Sequence, residues 1–87
     1  MNKLHDIKQV KFEEDNLILS VDNRVFCFPL AIISQKLFKA TETERNIYQI
    51  SPSGYGIHWL IIDEDLSIDG LLRLAESNNF QLSQVTI

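Results

Sequence analysis

The stretch GIHWLIIDEDLSIDGLL, residues 56–72, sets His58 close to three consecutive acids, Asp63, Glu64 and Asp65. Imidazole and carboxylate are donors that hold a divalent cation or trade a proton, so metal or acid/base chemistry would sit here. Asp63 and Asp65 reach one side together only if the segment is extended, because successive side chains of a strand alternate. Against a metal centre, His5 is remote in sequence, and there is neither an HExxH helix nor a paired CxxC. His58 beside Trp59 is therefore expected to be structural, donating to a backbone carbonyl or a carboxylate, and no metal is expected.

Other chemistries have no carrier. Cys27 lies mid-strand among Val25, Phe26 and Phe28, and a thiol buried there keeps its proton and stays inert. Ser51, Ser53 and Ser67 lack a G-x-S-x-G elbow, and Gly54, Gly56 and Gly70 are too scattered to cradle a phosphate, with no P-loop lysine after them. The expectation is a protein that is not an enzyme, with no catalytic residue and no cofactor.

The elements that must position these residues follow from pattern. HDIKQVKF and LILSV, separated by EEDN, read as a hairpin, and DNR at 22–24 turns the chain into the β-branched and aromatic run VFCF. Pro29 can occupy the first turn of a helix, along which Ile32, Ile33, Leu37 and Phe38 recur near helical spacing. TETE at 41–44 is a capping-box pattern for a short second helix, and IYQI at 47–50 resumes as strand. SPSGY reverses the chain, so IYQI and GIHWLII should pair. Ser67 is a good N-cap for a helix with Ile68, Leu71, Leu72 and Ala75 on one stripe. Asp63 and Asp65, just before that helix, would complement its orphan amides. The helix ends at SNN, and FQLSQVTI adds a short edge strand or frays, a choice the pattern leaves open.

With 87 residues the chain makes a single α+β domain spanning 1–87, its core at about 4–76 and its tail at 77–87. Antiparallel β hairpins in a meander would carry two or three short helices packed on one face. Trp59 is expected in the core, since a small domain with one Trp needs its area for burial. One cysteine makes no internal disulfide, and neither an apolar leader core nor a run of membrane-spanning length is present, so a cytoplasmic location without membrane contact is expected.

The formal net charge of -4 is unevenly spread. Residues 40–87 hold only Arg45 and Arg73 as basics, against seven acids. Such a surface repels phosphate backbones, making unaided nucleic-acid binding a poor expectation, and favours a basic partner. Tyr55 at a glycine-flanked loop tip is a natural contact for that partner. With it, His58, Glu64 and Glu42 are the candidate partner-binding residues.

PL at 29–30, GIHW at 56–59 and DEDLSIDGLL at 63–72, in that order and spacing, resemble the domain of unknown function 2442 (DUF2442). Pro29, Gly56, Trp59, Asp63, Asp65 and Ser67 carry the resemblance as structural positions. The family usually has Pro after the Trp, where this chain has Leu60, and often Asp-Gly in the hairpin, where this chain has Asp22-Asn23. Asn tolerates positive φ, so the turn should survive, and Leu60 regains an N–H for a strand ladder. The resemblance implies a small bacterial α+β domain without an established catalytic activity. Members often sit in two-gene operons beside a domain of unknown function 4160 (DUF4160), in a layout similar to a toxin and its antitoxin.

Residues and resemblance together lead to a non-enzymatic protein-interaction module, antitoxin-like or accessory, that binds a small basic partner encoded next to it, such as a DUF4160-type toxin. The alternative is a DNA-associated transcriptional regulator acting as a dimer or with another subunit, and a homodimer is compatible with either. A metal-dependent hydrolase built on His58 and the acids is the third class. Ser67→Ala should cost about 1 kcal/mol of stability in a denaturant melt by removing the helix cap; an unchanged midpoint would mean the helix starts elsewhere.

Overall fold

The computed structural model of the chain describes residues 3–84. Strands β1 (Ile7–Glu13), β2 (Asn16–Val21) and β3 (Arg24–Pro29) form an antiparallel meander, and β7 (Gln81–Gln84) closes back beside β3. A second antiparallel sheet has the order β4 (Tyr48–Ile50), β5 (Gly56–Trp59), β6 (Glu64–Ser67). Among the described residues, four helices complete the α+β fold: α1 (Leu30–Ile33), α2 (Gln35–Lys39), α3 (Glu42–Arg45) and α4 (Ile68–Asn78). Among the described residues no helix is long and apolar enough to cross a membrane.

Period-two alternation builds the core. Leu17, Leu19 and Val21 of β2 face inward with Phe26 and Phe28 of β3, in the register Leu17↔Phe28 and Leu19↔Phe26. Ile57 and Trp59 of β5 and Ile68, Leu71 and Ala75 of α4 complete the same cluster. The β2–β3 turn survives without glycine, as expected: Asp22 and Asn23 take φ of 51° and 64°, the left-handed pair a two-residue hairpin demands. Asn79 ends α4 at φ 59°, again left-handed. The capping box of Thr41 and Glu44 is present at α3, and Ser67 caps α4 by accepting from the Gly70 amide at 2.8 Å.

Several expectations need correction. The helix after Pro29 is broken, not continuous, and this raises the helix count to four. Ser34 is extended (φ -164°, ψ 110°), caps α2 by accepting from the Leu37 amide, and donates its hydroxyl to Glu64 Oε2 at 2.5 Å. A tertiary hydrogen bond thus competes with helical continuation, and the predicted stripe splits. Leu37 is buried, but Ile32 and Phe38 are exposed by 56% and 39%. Pro29 ends β3 and precedes α1 instead of lying in its first turn. Cys27 is half-buried because it alternates with Phe26 and Phe28 onto the far face of its sheet. Within DEDLS only Ser67 caps α4; the acids before it belong to a turn and a strand, since the chain turns after Trp59 and Glu64–Ser67 returns as β6 against β5. Leu60 therefore lies in the turn, although its amide does donate to the Ile47 carbonyl at 3.3 Å.

Arg45 at the end of α3 ties these pieces together. Its guanidinium donates to the carbonyls of Leu37, Phe38 and Glu14 and to Asp15 Oδ1, at 3.0–3.1 Å. Its own carbonyl accepts from Trp59 Nε1 at 2.9 Å, and Trp59 is fully buried between Phe12 and Tyr48. A lysine keeps the charge but has three donors on one point, and cannot serve four acceptors spread over two segments. Arg45→Lys should cost about 1–3 kcal/mol in a urea melt, the typical worth of hydrogen bonds from a charged donor, here the part-buried one to the Leu37 carbonyl and the exposed ones beside it.

Candidate functional site

The second sheet generates an outward-facing row of polar side chains. Trp59 and Ile57 point into the core, so Gly56 and His58, one residue out of phase, must point away from it. The register Gln49↔His58 and His58↔Asp65 then aligns Gln49, His58 and Asp65 across β4, β5 and β6. His58 Nδ1 bonds Asp65 Oδ1 at 2.8 Å, and the Asp65 side chain remains 74% exposed. His58 therefore does meet a carboxylate, as expected of a structural histidine, but on the surface of the sheet.

A groove of about 700 Å³ lies over this row, with Pro52 and Tyr55 in its wall. Its shape comes from the SPSGY loop. Gly54 takes φ 75° and donates to the Ser51 carbonyl at 2.9 Å, and the Gly56 amide donates to Ser51 Oγ at 3.0 Å. Gly54 passes so close to the chain that a Cβ there would stand 2.0 Å from the His5 carbonyl oxygen. Behind the loop, the amides of Leu4 and His5 both donate to the Ser53 carbonyl, and the Ile68 amide at the start of α4 donates to that of Tyr55. The Tyr55 backbone is thereby pinned while its side chain stands 57% exposed, beside an exposed Ile50 that also lines the groove.

The remaining candidate residues divide. Glu64 turns half inward: it accepts from Ser34 through one carboxylate oxygen and from the Asp65 amide through the other, and so serves as a strut between the helices and β6. Glu42 lines a separate hollow with Phe12, Glu14, Arg45 and Asn46. Asp63 takes φ 49° in the turn before β6, and Lys36 donates to its carbonyl at 3.0 Å. Its carboxylate comes close to the row, with donor atoms of His58, Asp63 and Asp65 all within 4.8 Å of one another. These three could hold a cation, but Asp63 and Asp65 are exposed and His58 Nδ1 is already engaged by Asp65.

Chemically the groove offers a carboxylate, an imidazole, an amide and an aromatic wall. Both hydroxyls that line it at Ser51 and Ser67 accept backbone hydrogen bonds, from Gly56 and Gly70. Cys27 belongs to the other sheet. The arrangement is suited to recognition through hydrogen bonds and apolar contact. What the sequence reading missed is the role of Gln49, Pro52 and Ile50, which surround His58 only because β4 and β5 pair in this register. His5 was missed as well, since its contacts are all remote in sequence.

The family described as "Protein of unknown function (DUF2442)" matches residues 7–77. Among solved structures, the chain is similar to a protein of unknown function from Rhodospirillum rubrum ATCC 11170, with 28% identity and a TM-score of 0.65 over 79% of this chain and 86% of that one. No curated protein matches the chain.

Because two of the three cation donors are exposed and the third, His58, is already engaged by Asp65, zinc, manganese or magnesium at millimolar concentration should leave the melting temperature unchanged. A ligand bound only by the folded state raises stability by mass action, so a metal-dependent rise that disappears in His58→Ala would establish a cation site here.

Proposed function

We propose, from the premise that this chain belongs to the DUF2442 family of proteins of unknown function, that it is a non-enzymatic interaction module binding a small basic protein through the groove over β4, β5 and β6. The observation that carries this reading is the combination of an exposed aromatic, Tyr55, and an exposed carboxylate, Asp65, lining one groove. An aromatic anchor surrounded by polar groups is the composition of binding hot spots, and the acid supplies charge complementarity to a basic partner. The formal net charge of -4 adds long-range attraction to the same class of partner.

The physiological setting proposed for this module is antitoxin-like or accessory, with the partner encoded by the neighbouring gene, as the operon layout implied by the family resemblance has it. A DUF4160-type product is the first partner to try.

Co-expressed with the product of the adjacent gene, the protein should co-purify as a stable complex. Tyr55→Ala should speed dissociation about tenfold or more, since loss of a buried aromatic anchor acts mainly on the off-rate. Asp65→Lys should instead slow association and weaken its salt dependence, because exposed charges act through steering. Surface-binding kinetics at two salt concentrations separate these effects. A neighbour that never binds, together with salt-sensitive binding to the promoter DNA of its own operon, would replace this reading with that of a DNA-associated regulator.

A further inference from the structure

His5 lies between two carboxylates. Its Nδ1 is 2.6 Å from Asp22 Oδ2 in the β2–β3 turn, and its Nε2 is 2.6 Å from Asp69 Oδ1 in the first turn of α4. A neutral imidazole has one N–H and one lone pair, so it can donate to only one of them. Both short contacts are satisfied together only when the ring is the imidazolium, with an N–H toward each carboxylate. The ring is largely enclosed, its side chain 14% exposed. Asp22 is further fixed by the Asp6 amide, which donates to its other oxygen at 2.8 Å.

The backbone of the same residue carries the groove's loop. The Leu4 and His5 amides donate to the Ser53 carbonyl at 2.6 and 3.3 Å, and Gly54 packs against the His5 carbonyl in a conformation with no room for a side chain. Asp69 follows Ile68, whose amide holds the Tyr55 carbonyl. We propose that His5 is a proton-dependent latch, which when charged clamps the N-terminal segment between the β2–β3 turn and α4 and so holds the SPSGY loop and its Tyr55 wall in place. When the ring loses its proton, one carboxylate faces a nitrogen lone pair at hydrogen-bond distance, and the two must separate. The displacement passes through the His5 backbone to Ser53 and Gly54. The latch is a property of the free protein and holds whichever partner the groove takes.

The electrostatics agree with the geometry. The hydrogen bond to Asp22 is the largest influence on His5 and raises its pKa above the ordinary 6.5; burial opposes this, and Asp69 adds to the rise. Burial also opposes ionisation of Asp22, but the Asp6 amide, the His5 ring and Arg24 outweigh it, and its pKa falls below the ordinary 3.8. Among the described residues, the further charges on the His5 side are Asp6, on the His5 segment itself, and its partners Lys3 and Lys8. A raised histidine contributes stability in full below 6.5 and loses it as the pH rises through its folded midpoint; a lowered carboxylate contributes above 3.8 and loses it as the pH falls. The latch is therefore closed between those limits and opens toward alkaline pH.

An NMR pH titration of the intact protein tests the latch without any substitution. The His5 ring signal should titrate with a midpoint above 6.5, and the amides of Gly54 and Tyr55 should shift with that same midpoint. In Asp69→Asn the His5 midpoint should fall, and in His5→Gln the loop amides should lose their response while the near-ultraviolet signal of buried Trp59 persists. A His5 midpoint at or below 6.5, loop amides that ignore His5, or a midpoint unmoved in Asp69→Asn would each overturn the proposal.

Discussion

The guanidinium of Arg45 donates to the carbonyls at the end of α2, to the β1–β2 turn and to Asp15, while the carbonyl of the same residue accepts the indole N–H of Trp59. Through this one residue the first sheet, two short helices and the second sheet share a set of satisfied polar groups. A fully buried Trp needs a partner for its one N–H, and a helix of five residues needs donors for its last carbonyls. Arg45 supplies both from a position that is itself almost enclosed and lies over the Phe12 ring at 5.9 Å.

The exposed site is a consequence of that burial. Once Trp59 is drawn inward by the indole bond and by Phe12 and Tyr48, strand periodicity leaves His58 no choice but the outer face. The partners of His58 are then set by pairing register, which brings Gln49 from one side and Asp65 from the other. A slip of one residue in either pairing would dismantle the row and expose the Trp. Core packing and the outer polar row draw on the same register, so the exposed face cannot drift independently of the core.

Polar struts join further segments that are far apart in the chain. Ser34 reaches Glu64, Lys36 reaches the Asp63 carbonyl, and His5 joins two carboxylates across the molecule. Helices of four and five residues cannot be stable alone, and such contacts are what order them. Where the loop of the groove is concerned, the strut carries a titrating group, so the loop's order depends on conditions in a way that the hydrophobic core does not.

Features governed by neighbours in sequence were legible from the start. The meander of β1 to β3, the left-handed turn at Asp22-Asn23, the capping box at Thr41, the Ser67 cap and the burial of Trp59 all follow from local torsional preference or hydrophobic period. Tyr55 was readable as exposed for the same reason, sitting in a turn whose glycines keep it from the core. What local pattern misjudged is instructive: DEDLS looked like the acidic lead-in to a helix because carboxylates favour that place, yet it is a strand, since β5 has an edge to pair and Leu66 an apolar row to join. The helix after Pro29 broke at Ser34 for a hydrogen bond to a residue thirty positions away. The convergence of Gln49, His58 and Asp65, the hub at Arg45 and the bridging of His5 by Asp22 and Asp69 were decided only by the tertiary structure. Each depends on contacts between segments far apart in the chain, whose acids and bases already have adequate local explanations, so no period or spacing marks them until the sheets have packed.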